Sequence, residues 1–187
     1  MVKETLFDIW AKRNPKFETH FEESLLRLFT DYGVGSSELT AAKGKTLGAG
    51  YELYIYAFFI GLYANKKKIL AGDTKVLGQP IQYWGNLDSK KFRKAYPRLR
   101  EYIFIALLAK TELDLIALEK GAITDIQAVD MMKDTMEQYA NYGFYAIEEK
   151  MKDNPNYFYR STGFLDMILD LVKLAEKDEE EEEIEEL

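Results

Sequence analysis

The chain has no cysteine and one histidine, His20. Without thiols, disulfides, thiolate nucleophiles, iron–sulfur clusters and cysteine zinc sites are excluded. A single imidazole rules out any centre that needs two. Only four prolines interrupt the 187 residues. Each marks a boundary: the Asn14-Pro15 turn, a loop around Pro80, a helix start at Pro97 and a break at Asn154-Pro155. An uninterrupted apolar segment is also missing from the N-terminus. MVKETLFDIWAKRNPKF carries charges where a signal peptide needs about 7 to 15 apolar residues, which leads us to expect a cytoplasmic protein.

What is present is ample apolar and aromatic material, with 47% hydrophobic residues, 13 Tyr and 11 Phe. That composition belongs to a globular chain, and the length suits one domain with a full core. The net charge of -7 hides an asymmetry. Lys66 to Arg100 holds ten basic residues against the acids Asp73 and Asp88, a balance of +8, while the closing DEEEEEIEEL contributes -8. Such an imbalance points to an interaction surface or a tail, and says nothing about fold.

Helical periodicity dominates. Leu6, Phe7, Ile9 and Trp10 predict a short helix. Phe17, Phe21, Leu25, Leu28, Phe29 and Tyr32 predict a second, with Glu18, Glu22 and Glu23 outside and a stop at Gly33. Leu47–Ala64 is apolar for about 27 Å of helix, yet Glu52 and four tyrosines within it favour a buried central helix over a membrane span. Gly48, Gly50 and Gly61 in it mark caps or close helix approach. The Gly-rich stretch after it is read as a long loop with a small β-hairpin near residues 75–84. The helix from Pro97, apolar on all sides, is expected to be buried. Thr124 and Gln127 form a capping box ahead of the stripe Ile126, Val129, Met132, Met136, Ala140, Phe144, Ile147 and Met151, which predicts a long amphipathic helix. A final helix is capped by Ser161 or Thr162, with Phe164, Leu165, Ile168, Leu169 and Val172 inward. The expected fold is all-α, a single-domain irregular bundle of six or seven helices over residues 1–177, followed by an acidic disordered tail, 178–187.

The chemistry-bearing motifs are weak. GKT at 44–46 lacks the first glycine of a phosphate-binding loop, since Leu39 stands there, and it lacks the preceding strand. Glu52, drawn inward, is a candidate acid–base group, although such a carboxylate is more often tied to a structural partner. The i,i+3 and i,i+4 acids Asp130, Asp134 and Glu137 lack the histidines of a di-iron set and read as a solvated face. His20 reads as a surface residue. No cofactor or metal is expected, and the balance leans away from an enzyme. The most suggestive constellation is the basic segment with its interleaved rings: Lys66, Lys67, Lys68, Tyr83, Trp84, Lys90, Lys91, Arg93, Lys94, Arg98 and Arg100. It suits a non-catalytic helical accessory or adaptor protein that binds a macromolecular partner. It also suits direct nucleic-acid binding, with Tyr83 and Trp84 stacking on bases and the acidic tail competing. A third reading is an enzyme centred on Glu52. No membrane partner is expected, and the aromatic content leaves room for a homo-oligomer.

Overall fold

The computed structural model describes residues 4–32, 47–86 and 95–185, with side chains through Leu174. The described residues are mostly helical. Helix α1 (Leu6–Ala11) is followed by a π-turn (Glu22–Leu26) that runs into α2 (Arg27–Phe29). Then come α3 (Gly50–Tyr63), α4 (Leu99–Lys110), α5 (Leu115–Glu119), α6 (Asp125–Asp153) and α7 (Gly163–Glu185). A two-stranded sheet pairs β1 (Lys16–Glu18) with β2 (Thr74–Val76). The pairing is antiparallel, as bonds from Leu77 N–H to the Pro15 carbonyl (2.8 Å) and from Thr19 N–H to the Asp73 carbonyl (2.9 Å) bracket it. The small sheet of the 75–84 region thus exists, and its second strand comes from the N-terminal part of the chain. The GKT motif lies outside the described residues.

The chain forms two compact units, residues 1–17 with 74–137 and residues 18–73 with 138–187. The first gathers Trp10, Phe7 and Phe104, whose ring centroids stand 5.3 to 5.8 Å apart. Leu77, Ile81, Trp84, Ile103, Leu107, Val129 and Met132 are buried in the same unit. Start signals are honoured here. The Thr5 hydroxyl caps Asp8 N–H (3.2 Å). Thr124 and Gln127 form the expected reciprocal box, at 2.9 Å to the Thr124 N–H and 3.2 Å from the Gln127 N–H. In this unit Glu137 is buried and accepts a bond from Lys16 N–H at 2.8 Å. Burial is the main cause of its raised carboxyl pKa, against the opposing pull of that bond and of Lys133.

The second unit is built on α3 and the later half of α6. The apolar run of α3 is buried, as expected, with Leu53, Tyr54, Ala57, Phe58 and Ile60 shielded from solvent. Tyr54 and Phe21 both pack on Phe144 of α6 (5.6 and 5.0 Å). Two glycines permit this. A Cβ at Gly143 would lie 1.8 Å from the Ala57 carbonyl oxygen, and one at Gly61 would lie 2.1 Å from that of Tyr139. Phe29, Phe158 and Phe164 close the other side, at 4.5 to 5.6 Å.

Several expectations are corrected. Phe17, read into a helix because it precedes Phe21 by four, lies on β1, where backbone pairing with β2 overrides periodicity. The π-turn that follows rotates the register, so Glu22 turns inward against Arg27 (2.8 Å) and Leu28 turns outward. Helix α4, apolar all round, buries only Ile103 and Leu107. Ile126, Leu165 and Leu169 are exposed, not inward. The backbone of α7 is helical through Glu185, in keeping with the good helix propensity of glutamate.

The glycine contact makes a stability prediction. Gly143→Ala has no flexible side chain to push aside, only the Ala57 carbonyl, and should lower stability by about 3 kcal/mol. Gly121→Ala, with nothing within 4 Å but φ +74°, should cost only about 1 kcal/mol. Urea unfolding of both variants checks the order, and equal losses would contradict the close approach.

Candidate functional site

The eleven predicted contact residues do not form one unit. Lys66, Lys67 and Lys68 belong to the second unit, and Tyr83, Trp84, Arg98 and Arg100 to the first. Lys90, Lys91, Arg93 and Lys94 lie outside the described residues. Trp84 is a correction: it is buried and its indole N–H donates to the Gln79 carbonyl (3.0 Å), so its ring offers no free face for a base. Tyr83 is exposed. The Arg100 guanidinium donates to the carbonyls of Gln82 and Pro97, which ties the 82–86 loop to the start of α4. Arg98 is exposed at the first turn of that helix.

The three lysines form an ordered array. They follow α3 in a segment without regular secondary structure, beside α6. Lys67 stands over the Tyr139 ring at 5.3 Å, Lys66 over Tyr142 at 5.9 Å and Lys68 over Tyr145 at 3.5 Å. Residues 139, 142 and 145 recur every three positions, which keeps them near one face of a helix. Cation–π attraction at such distances contributes about 0.5 to 2 kcal/mol each.

What holds the segment there is a buried carboxylate that periodicity did not expose. Glu18 leaves β1 with 2% of its surface accessible. Its Oε1 accepts from Ala71 N–H (2.9 Å) and the Asn141 amide (2.7 Å), and its Oε2 from the Tyr145 hydroxyl (2.7 Å). The same Asn141 Nδ2 reaches the carbonyls of Lys68 and Ile69, both at 3.2 Å. His20 lies with Nδ1 3.6 Å from Glu18 and rests on Phe21. Burial alone would raise the Glu18 pKa; the bonds from Ala71, Tyr145 and Asn141 outweigh it and hold the carboxyl below its ordinary value. The same bond, together with burial, pushes Tyr145 up to about 12. A phenol so held is a donor and not a base.

Glu52, the other inward carboxylate, is buried in the first turn of α3 and accepts from Gly48 N–H (2.9 Å), a capping task at a helix start. Among the described residues no group of His, Asp and Glu is placed to hold a metal ion, and no helix is long and apolar enough to cross a membrane.

A second surface was not legible from charge. Helix α5, LIALE, contains no buried residue. Leu115 and Ile116 are exposed, as are Tyr102 and Ile105 on α4 and Ile126 in the first turn of α6, each at 56 to 63% accessibility. Short connections join these elements. Ile123 N–H bonds back to the Ala117 carbonyl (3.2 Å), and Asp114 caps α5 through Ala117 N–H (2.9 Å). The signal was the density of apolar residues in TELDLIALEK, more than a five-residue helix can shelter.

No protein-family model, curated protein or solved structure matches this chain.

The Glu18 network makes a pH prediction. With its pKa raised in the folded state, Tyr145 contributes stability that is complete below pH 10 and is lost as pH rises toward about 12. Glu18, with its pKa lowered, contributes stability present above its ordinary value of 4.5 and lost as pH falls below it. Tyr145→Phe should remove one tyrosine's worth of late absorbance change from an alkaline titration, leaving the contributions of Tyr56, Tyr139 and Tyr157, which burial also raises. It should also cost about 1.5 to 3 kcal/mol at pH 7, because a hydrogen bond to a charged group disappears. An unchanged titration and unfolding midpoint would contradict the network.

Proposed function

We propose that this is a non-catalytic helical accessory protein that works by binding a protein partner. The observation that carries the reading is α5, an apolar helix with none of its residues buried, flanked in sequence by the exposed Tyr102 and Ile105 of α4 and Ile126 of α6. Large apolar side chains kept in water by a chain with a well-filled core mark an interaction surface. Covering each stabilises a complex by roughly 1.5 to 3 kcal/mol before the cost of association. The exposed charges of this stretch are of both signs, Glu101, Glu112, Asp114 and Glu119 with Lys110 and Lys120, which suits a polypeptide better than the uniformly anionic backbone of a nucleic acid. The loss of Trp84 as a stacking platform points the same way. Contact is therefore assigned first to residues 102–126, beside Arg98 at the end of the basic segment. Glu52 serves as a cap in this reading, and no acid–base role is drawn from it.

Photo-crosslinking in the native host tests this. A benzoylphenylalanine at Ile105 or Ile116 should give one discrete heavier adduct, and the same group at Asp170, exposed on α7, should not. The mass of the adduct identifies the partner, a second copy included. Leu115→Asp with Ile116→Asp should abolish the adduct formed at Ile105 while shifting stability by no more than about 0.5 kcal/mol per residue. No adduct at either position, or the same adduct at Asp170, would overturn the proposal.

A further inference from the structure

On the later half of α6, Tyr142 lies three and four positions before Tyr145 and Ala146, and Glu149 four and three positions after them, so the four share one face; Lys68 and Lys152 rise beside them to enclose an open groove of about 420 Å³. That volume lies within the range that ligands occupy. Its walls are fixed. Lys68 N–H donates to the Gln138 carbonyl (3.0 Å), its own carbonyl is held by Asn141 and the Tyr145 hydroxyl is tied to Glu18.

The charges in this groove are not all matched. Lys152 pairs with Glu148 at 3.8 Å. Among the described residues, the Lys68 ammonium makes no ion pair and has the Tyr145 ring as its neighbour, and Glu149 makes no ion pair either. Among the described residues the groove lining thus presents one cation and one anion that make no ion pair, and Lys66 covers the Tyr142 ring at its edge. A polyanion would satisfy Lys68 and meet Glu148 and Glu149 in repulsion; a purely basic ligand would meet Lys68 and Lys152. Only a ligand carrying both signs answers both charges, and an open groove leaves a small free zwitterion largely in water.

We propose that the groove takes an extended peptide segment of a partner protein, with an acidic side chain on Lys68 and an arginine on Glu149. Arginine fits the second position because its planar guanidinium offers a fork of donors to a carboxylate. This site lies in the second compact unit and is independent of the apolar residues 102–126.

The test is selection from a random peptide display library against the full chain at low salt. Affinities of the selected fluorescein-labelled peptides are then read by fluorescence polarisation. Selected peptides should combine an acidic residue and an arginine within a short span, and Glu149→Lys should weaken them by about tenfold or more. The double variant Lys68→Glu, Glu149→Lys should recover affinity for the peptide with its two charges exchanged. Glu149 lies outside the Glu18 network, so its variant should keep the wild-type unfolding midpoint and stays informative if Lys68→Glu disturbs the fold. Selection of no peptide, selection of peptides without the charge pair, binding undiminished by Glu149→Lys, or full competition by free Glu-Arg dipeptide would each overturn the proposal. Crosslinking at Ile116 is blind to all four outcomes, so this inference and the apolar surface fail separately.

Discussion

Where α3 and α6 meet, no side chain separates the two backbones. Gly61 lies against the Tyr139 carbonyl and Gly143 against that of Ala57, at distances that leave no room for a methyl group. So close an approach buries the apolar length of α3 and allows Tyr54 to reach Phe144. It also determines which part of α6 is left for other work. With one face of the helix committed to α3, the neighbouring face at Tyr139, Tyr142 and Tyr145 receives the lysines that leave the end of α3.

The lysines need a second constraint to stay there, because a run of three like charges repels itself and a segment outside helix and sheet has no ladder of its own. Glu18 supplies it. One buried carboxylate accepts a backbone N–H from the segment's far end, an amide that grips its carbonyls and a phenol from the face it covers. Removing a charge from water is unfavourable unless its lone pairs are filled, and here three donors fill them. The consequence is a rigid edge to the groove in which, among the described residues, Lys68 and Glu149 make no ion pair.

The two candidate surfaces rest on different physics. Residues 102–126 offer apolar area, so their contribution to binding would be nearly independent of salt. The α6 groove offers opposed charges, whose attraction is screened over about 10 Å at ordinary ionic strength. A protein with both can hold a partner by one and choose its register by the other, since complementary charges favour specificity more than raw affinity.

Much of the fold was legible because the signals are local. The capping box at Thr124 and Gln127, the stripe from Val129 to Ile147, the break at Pro155 and the burial of α3 each depend on residues a few positions apart, and each forms as the pattern dictates. The site was legible only in part. Lys66 to Lys68 were visible as a charge run, but Glu18 looked like the outer face of a helix, and its partners Asn141 and Tyr145 are separated from it by 123 and 127 positions. Trp84 looked like a stacking ring until the loop folded its N–H onto Gln79. By itself the sequence determined where helices start, stop and turn an apolar face, because hydrogen bonds within four residues and side-chain periodicity decide that. Tertiary structure alone decided which carboxylate would be buried and which leucines and isoleucines would stay in water, because burial depends on what a distant segment brings against them.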